Sequence, residues 1–478
     1  MKDTSWDYAL KVTADGAGLV GHAGAVLLRK AADQAGLTGQ LSAALRKRGR
    51  PPAFDRGTAL ASMAVAIALG ATSMSDIAVL GHLAPVLGAA PSGPTIRRVL
   101  EQAGGTTALE KIAAARARAR AHAWTLIEAT PAGFPWLQIA GKSLTGWLVI
   151  DLDATLVTAH SDKEGAAPTW KKGYGFHPLA GWCSNTRESL AMLLRPGNAG
   201  SNTFTDHRDV LAAAIRQAPA RFRRKMLIRV DGAGASHELI EHLLGMSSPR
   251  RTVLFTCGWA ITAADEDAIR QLPAGAWKPG ITQDGDPEED KEIAEITHLM
   301  SRAGNWPEGL RWIARRVKPS RRHKKNLTDY EKQTGWKYSI TVTSIPDGGI
   351  PGVPGSHHPQ YIDVAHREHA IVETAGVRTA KAMGLRNLPS KSWQVNKGWV
   401  IAANIAADLM AWARLLGLHD DEGLRDADPD TLRFRILHLP ARLAHHARQR
   451  ILRLSPDWPW TGAFLTCWQR LCALPAPA

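Results

Sequence analysis

The stretch Val149–Val157, VIDLDATLV, constrains the fold more than any other part of this chain. Successive side chains of a β-strand point to opposite faces. Ile150, Leu152, Ala154 and Leu156 therefore make one apolar face, while Asp151, Asp153 and Thr155 share the other. A strand of this kind belongs in a packed sheet. Its two carboxylates must be solvated, matched by cationic side chains or bound to a metal ion, because unpaired buried charge is costly.

The residues that follow supply the rest of such a sheet. WLVIDLDATLV, KGYGFHPLAGWC and SLAMLLRPG read as three strands, with HSDKEGAAPTWK and SNTRE as the turns between them. A helical pattern, DVLAAAIRQA, comes next, then an apolar run that ends in an acid, KMLIRVDGAG, a helix, SHELIEHLLGM, and a strand, RTVLFTCGW. Three antiparallel strands followed by helix, strand, helix and strand is the order of an RNase H-like fold. In that fold parallel strands beside a hairpin meander bring acids to adjacent strand positions.

Three acids stand out by position: Asp153 in the first strand, Asp231 at the end of the fourth, and Glu373 on a helix further along. Three convergent carboxylates suit two divalent cations about 3.5–4 Å apart, which activate an attacking oxygen and stabilise the leaving oxygen of a phosphodiester. Mg²⁺ is the expected ion, with Mn²⁺ as a substitute, because it takes oxygen ligands and keeps waters for phosphates to displace. Asp151 is the alternative first ligand; with Asp153 in that role, Asp151 orients it or adds negative field.

The expected architecture is α/β, an RNase H-like mixed sheet flanked by helices, interrupted by a β-rich insertion and preceded by a helical DNA-binding region. The boundaries are 1–130 for the helical region, 140–259 for the first part of the catalytic core, 260–355 for the insertion, 356–420 for the second part with the glutamate helix, and 421–478 for a C-terminal region. A length of 478 residues fits several structural units. The net charge of +15 favours a polyanionic partner such as nucleic acid. Cys183, Cys257, Cys467 and Cys472 have no CxxC spacing, which argues against a zinc site or a disulfide framework and fits a reducing cytosol. The N-terminus lacks a signal-peptide pattern, and the apolar run Ala59–Ala71 is too short to span a membrane, so it reads as a buried core helix.

Several stretches could meet DNA. Ser92 can cap a helix that begins near Pro94 and carries Arg97 and Arg98, as in a helix-turn-helix reader. RKRGRPP at Arg46–Pro52, with Arg50 inside it, is either a minor-groove arm or a solvated loop. In EKIAAARARARAHAW the arginines 116, 118 and 120 spread around a helix, which predicts a positively charged linker. Trp259, Trp277, Trp306, Trp312 and Trp336 fall in or beside the insertion, where aromatics among cations can stack bases, although most tryptophans are core. His177 in GFHP reads as structural, fixing a turn or bonding a backbone carbonyl.

Taken together, IDLDATLVTAHSDKEGAAPTWKKGYGFHPL, LLRPGNAGSNT, RVDGAGASHEL and VETAGVRTAKAMGLRNLPSKSW resemble the transposases of bacterial insertion sequences with a DDE catalytic domain, over residues 30–420. More narrowly they resemble the group with a β-rich insertion before the catalytic glutamate. The resemblance implies Mg²⁺-dependent cleavage and strand transfer at terminal inverted repeats, by a dimer assembled on double-stranded DNA near the bacterial nucleoid. Carried over by position, the D-x-T word gives Asp153 as first acid, VDGAG gives Asp231 as second, and Glu373 is third. The glycines after Asp231 would let a phosphate approach the backbone. A basic residue two helical turns past the glutamate contacts phosphate in related families, which points to Arg378 and Lys381; Lys381 lies one residue further than that pattern. Arg367, nearly two turns before the glutamate, could reach the same phosphate. The rival functions are an RNase H-like nuclease that cuts without joining and a transposase-derived DNA-binding protein without catalysis.

Overall fold

The computed structural model describes residues 11–47, 49, 52–232, 234–300, 306–321, 323–367 and 378–477. Glu373 and Arg50 lie outside the described residues.

Nine strands form one mixed sheet: β1 (Leu148–Ala154), β2 (Leu179–Cys183), β3 (Glu188–Leu193), β4 (Lys225–Val230), β5 (Thr252–Ala260), β6 (Lys278–Ile281), β7 (Pro287–Glu295), β8 (Arg311–Val317) and β9 (Lys337–Thr343). Their order is β6-β7-β8-β9-β5-β4-β1-β2-β3. β4 runs parallel to β1 and to β5, whereas β2 and β3 form the antiparallel meander on the other side of β1. This is the RNase H-like order expected from the sequence. Strands β6–β9 continue the same sheet, because β9 pairs antiparallel with β5. The stretch KGYGFHPLAGWC does not form one strand: Tyr174–Phe176 joins a small separate sheet and Leu179–Cys183 is β2. Pro178 between them has no N–H for a ladder, and the His177 N–H turns to Arg195 O, 3.1 Å away.

The two faces of the central strands bury different cores. Leu148, Ile150, Leu152, Met226, Ile228, Val230 and Phe255 belong to the large core that runs through the molecule. Val149, Leu227, Leu254, Ile293 and Ile313, on the opposite face, pack under Tyr361, Ile362 and Val364. Full burial of such side chains stabilises by about 1.5–3 kcal/mol each.

Helices α1 (Ala25–Gln34), α2 (Leu37–Leu45), α3 (Arg56–Ala68), α4 (Gly93–Ala103) and α5 (Thr106–Glu128) precede the sheet. α6 (Phe204–Gln217) and α7 (His237–Gly245) connect β3 to β4 and β4 to β5. α8 (Pro359–Arg367) covers the second face, and α9 (Trp393–Gly417) threads the large core. By length and composition α9 could cross a membrane, yet its most apolar 18-residue stretch is buried in the molecule, as in a core helix. α3 is the buried helix expected over the apolar run after Ala59.

One expectation for α5 is corrected. Arg116 and Arg120 do not make a solvated, positively charged linker: they lie one helical turn apart on the same face and are buried. Arg120 bonds Glu188 at 2.8 Å and Asp408 at 2.5 Å, and Arg116 reaches Asp408 at 2.9 Å. Glu188 also accepts the indole N–H groups of Trp124 and Trp412, so one buried polar cluster ties α5 to β3 and α9. Only Arg118 of the three faces outward, toward Gln40.

Candidate active site

Strand register brings two of the three expected acids together. β4 pairs with β1 in parallel, with Arg229 opposite Asp151 and Val230 opposite Leu152. One residue further, Asp231 follows the end of β4 at the level of Asp153, on a neighbouring strand about 4.8 Å away. Both acids also lie on the same face, because the side-chain period is two. The Ala154 N–H donates to Asp153 Oδ1 at 2.7 Å, and the Gly234 N–H donates to Asp231 Oδ1 at 3.1 Å. Backbone donors near the strand ends thus orient each carboxylate.

Asp151 has a different environment. It is fully buried, and Arg229 grips it at both oxygens, at 2.6 and 3.0 Å. Ser184 Oγ donates to the same carboxylate and accepts from Arg229 Nη2 at 2.8 Å. The guanidinium is closed off above by α8, where Nη1 donates to Ala365 O at 3.2 Å. The sequence carries a signal for this pair. D-x-D at Asp151–Asp153 and R-x-D at Arg229–Asp231 have the same spacing, so parallel pairing that joins one pair of residues also joins the other.

The end of α8 forms a further wall. His366 Nδ1 lies 3.2 Å from Thr256 Oγ1 on β5, and its ring presses against Gly258, where an added Cβ would sit 2.2 Å from Nε2. Asp231, Trp259, Arg315, Asp363, His366 and Arg367 line a cavity of about 250 Å³ beside this contact. Arg367 Nε donates to Asp363 at 2.6 Å, and Arg315 lies 3.7 Å from the same carboxylate. Burial pulls the Arg315 guanidinium below its ordinary pKa, while Asp363 opposes that shift.

Among the described residues, no three His, Cys, Asp or Glu side chains gather into a metal-holding group. Asp153 and Asp231 nevertheless have the donor chemistry a hard divalent cation takes: two carboxylates at neighbouring strand ends, set apart from an inner carboxylate already neutralised by arginine. Glu373 is six residues past Arg367, which lines the Asp231 cavity.

Residues 4–476 match the family described as the transposase DDE domain, group 1. The chain belongs to this family of DDE transposases. No curated protein matches it. Among solved structures it is similar to a piggyBac transposase in a synaptic complex with hairpin DNA, at 11% identity and a TM-score of 0.40, covering 86% of this chain and 79% of that one.

The transposase's other expected site residues are dispersed. Arg367 is at the Asp231 cavity. Arg378 is exposed and lines a separate pocket with Arg187, Arg414, Asp426 and Asp428, and Lys381 is exposed nearby in sequence. Arg97 and Arg98 are exposed on α4, whose cap is Ser92 as expected. At the glycine after Asp231 the protein's own strand comes close: a Cβ on Gly232 would lie 2.3 Å from Gly258 O. His177 bonds the Ala199 carbonyl at 3.2 Å. Burial lowers its pKa below the ordinary imidazole value. Of the insertion tryptophans, Trp277 and Trp312 are buried, whereas Trp306 stacks on His237 at 3.6 Å and near Trp259 at 6.0 Å. His366, Asp363 and Arg315 at the cavity were not singled out in the sequence, and no local pattern marks them.

Proposed function

We propose that this transposase cuts DNA at the terminal inverted repeats of its element and transfers the freed strand ends, with Asp153, Asp231 and Glu373 as the metal-holding acids. The observation that carries the reading is the parallel β1–β4 register, which sets Asp153 and Asp231 side by side while locking Asp151 to Arg229. Two Mg²⁺ ions, or Mn²⁺ in their place, would when bound activate the attacking oxygen and stabilise the leaving one. Asp153 is the first ligand because Asp151 is already committed to a bidentate, fully buried ion pair. That pair holds β1 and β4 in register and keeps the sheet beneath the ligands electrically balanced.

Arg367, which lines the Asp231 cavity, would meet a phosphate at that end of the sheet, whereas Arg378, Lys381, Arg97, Arg98 and Arg50 would belong to the wider binding surface for double-stranded DNA. Because both element ends must be held at once, the working form is a homodimer on DNA, acting at the nucleoid of a bacterial cytoplasm.

The test uses labelled DNA carrying the sequences that flank the gene, with Mg²⁺ and the full chain. Asp153→Asn, Asp231→Asn and Glu373→Gln should bind this DNA as wild type does and lose cleavage by at least about 10³-fold. A donor end with a free 3′-OH should be joined to target DNA; cutting without joining would make the protein a nuclease. Wild-type cleavage by all three variants would refute the site.

A further inference from the structure

The strand that carries Asp153 leads directly into an anchored hairpin with an aromatic tip. Val157–Thr158, Ala167–Pro168 and Tyr174–Phe176 form a small sheet of their own, with Val157 opposite Phe176 and Pro168 opposite Tyr174. Its base is tied to the N-terminal end of α9: Glu164 accepts the Trp393 N–H at 2.6 Å, the Glu164 N–H reaches Lys391 O at 3.0 Å, and Phe176 packs on the Trp393 ring. The tip is a tight turn, closed by Thr169 N–H to Gly173 O at 2.8 Å and Lys172 N–H to Thr169 O at 3.0 Å. Lys172 takes a left-handed φ of 59° there.

On this turn Trp170 is 70% exposed, which makes it one of the most solvent-exposed large apolar side chains. Lys171 holds its ammonium 4.8 Å from the indole centroid, and Lys172 is exposed beside it. An indole displayed on a tight turn with two lysines directly after it, in a protein of net charge +15, fits a polyanion that also offers flat rings. We propose that the tip Trp170–Lys172 is a DNA contact: the indole stacks on a base exposed at a strand end or a distorted step, and the two lysines meet the adjoining phosphates. This rests on the transposase reading and adds to it a surface outside the acid-bearing strands. Asp153 pairs with Ala180, ten residues from Trp170, so with the cross-strand step included the tip lies at most about 40 Å from the acid. At about 3.4 Å per base pair the contact falls within about twelve base pairs of the cut.

The experiment is anisotropy titration of the full chain, without divalent metal, on a random-sequence duplex of about 30 base pairs, blunt or with a short single-stranded overhang. Trp170→Ala should weaken binding to the overhang probe by about 5- to 150-fold with an unchanged salt slope, and Trp170→Phe should recover part of it. Lys171→Ala with Lys172→Ala should instead flatten the slope of log K against log salt by about 1–2. Because the tip is exposed, each variant should melt with wild type. Wild-type affinity of Trp170→Ala on both probes would overturn the proposal, as would a change in its sedimentation without DNA at unchanged affinity, which would make the tip a contact between copies. If wild type itself binds neither probe, the proposal fails together with the DNA reading.

Discussion

Asp151→Asn separates a structural aspartate from a metal ligand by the kind of loss it causes. Asp151 and Arg229 are 0% and 1% exposed in their side chains, so solvent does not screen them. The amide keeps the shape and leaves a buried guanidinium without its counter-charge, which costs about 3–5 kcal/mol. At about 2.1 cal/mol/K per residue, a chain of 478 residues unfolds with an entropy near 1 kcal/mol/K, so the melting temperature should fall by about 3–5 °C. Replacing both partners by apolar residues of similar volume, Asp151→Leu with Arg229→Met, should recover most of that loss, because no charge is then left unpaired. Differential scanning calorimetry with and without Mn²⁺ reads both properties. A ligand at a hundred times its dissociation constant adds about 2.7 kcal/mol, or about 3 °C here. That increment should persist in Asp151→Asn and be lost in Asp153→Asn. If Asp151→Asn melts like wild type and loses the Mn²⁺ increment, the two aspartates have been assigned the wrong way round.

Further expectations follow from the same physics. Arg120→Ala strips the countercharge from Glu188 and shares Asp408 with Arg116 alone, so it should cost about 3–5 kcal/mol in thermal denaturation while cleavage per folded molecule is unchanged. Gly258→Ala must displace the His366 ring 2.2 Å from the new Cβ; the overpacking should cost about 1–3 kcal/mol and reduce cleavage more than DNA binding, which paired melting and cleavage assays would check. His22 is held below the ordinary imidazole pKa by burial and by His438 and His82. Below about pH 6.5 the unfolded chain takes up a proton that the folded chain resists, so this contribution is complete above that pH and is lost as pH falls. His22→Asn, which tolerates the left-handed φ of 57°, should flatten the decline in melting temperature between neutral and acidic buffer.

The parts of this molecule that were legible in the sequence are those whose partners share a strand period. β1 and β4 could be read because each is a short apolar run with an acid at or just past its end, and their parallel pairing then follows from fold order. Arg116 and Arg120 could not: their partners Asp408 and Glu188 are 288 and 68 residues from Arg120, and an Ala-rich helix with alternating arginines reads the same whether those charges meet water or buried carboxylates. The cavity beside Asp231 was hidden for a similar reason, since Arg315, Asp363 and His366 come from β8 and α8 and meet only when the sheet extends past β5. Asp151 lies between these cases. Its proximity to Asp153 made it a rival ligand; Arg229, two residues before Asp231, is its partner only in the observed register, where the equal spacings on parallel neighbours coincide. A charged doublet on one strand is therefore best interpreted against the doublet of its parallel neighbour: here the inner positions, Asp151 and Arg229, neutralise one another.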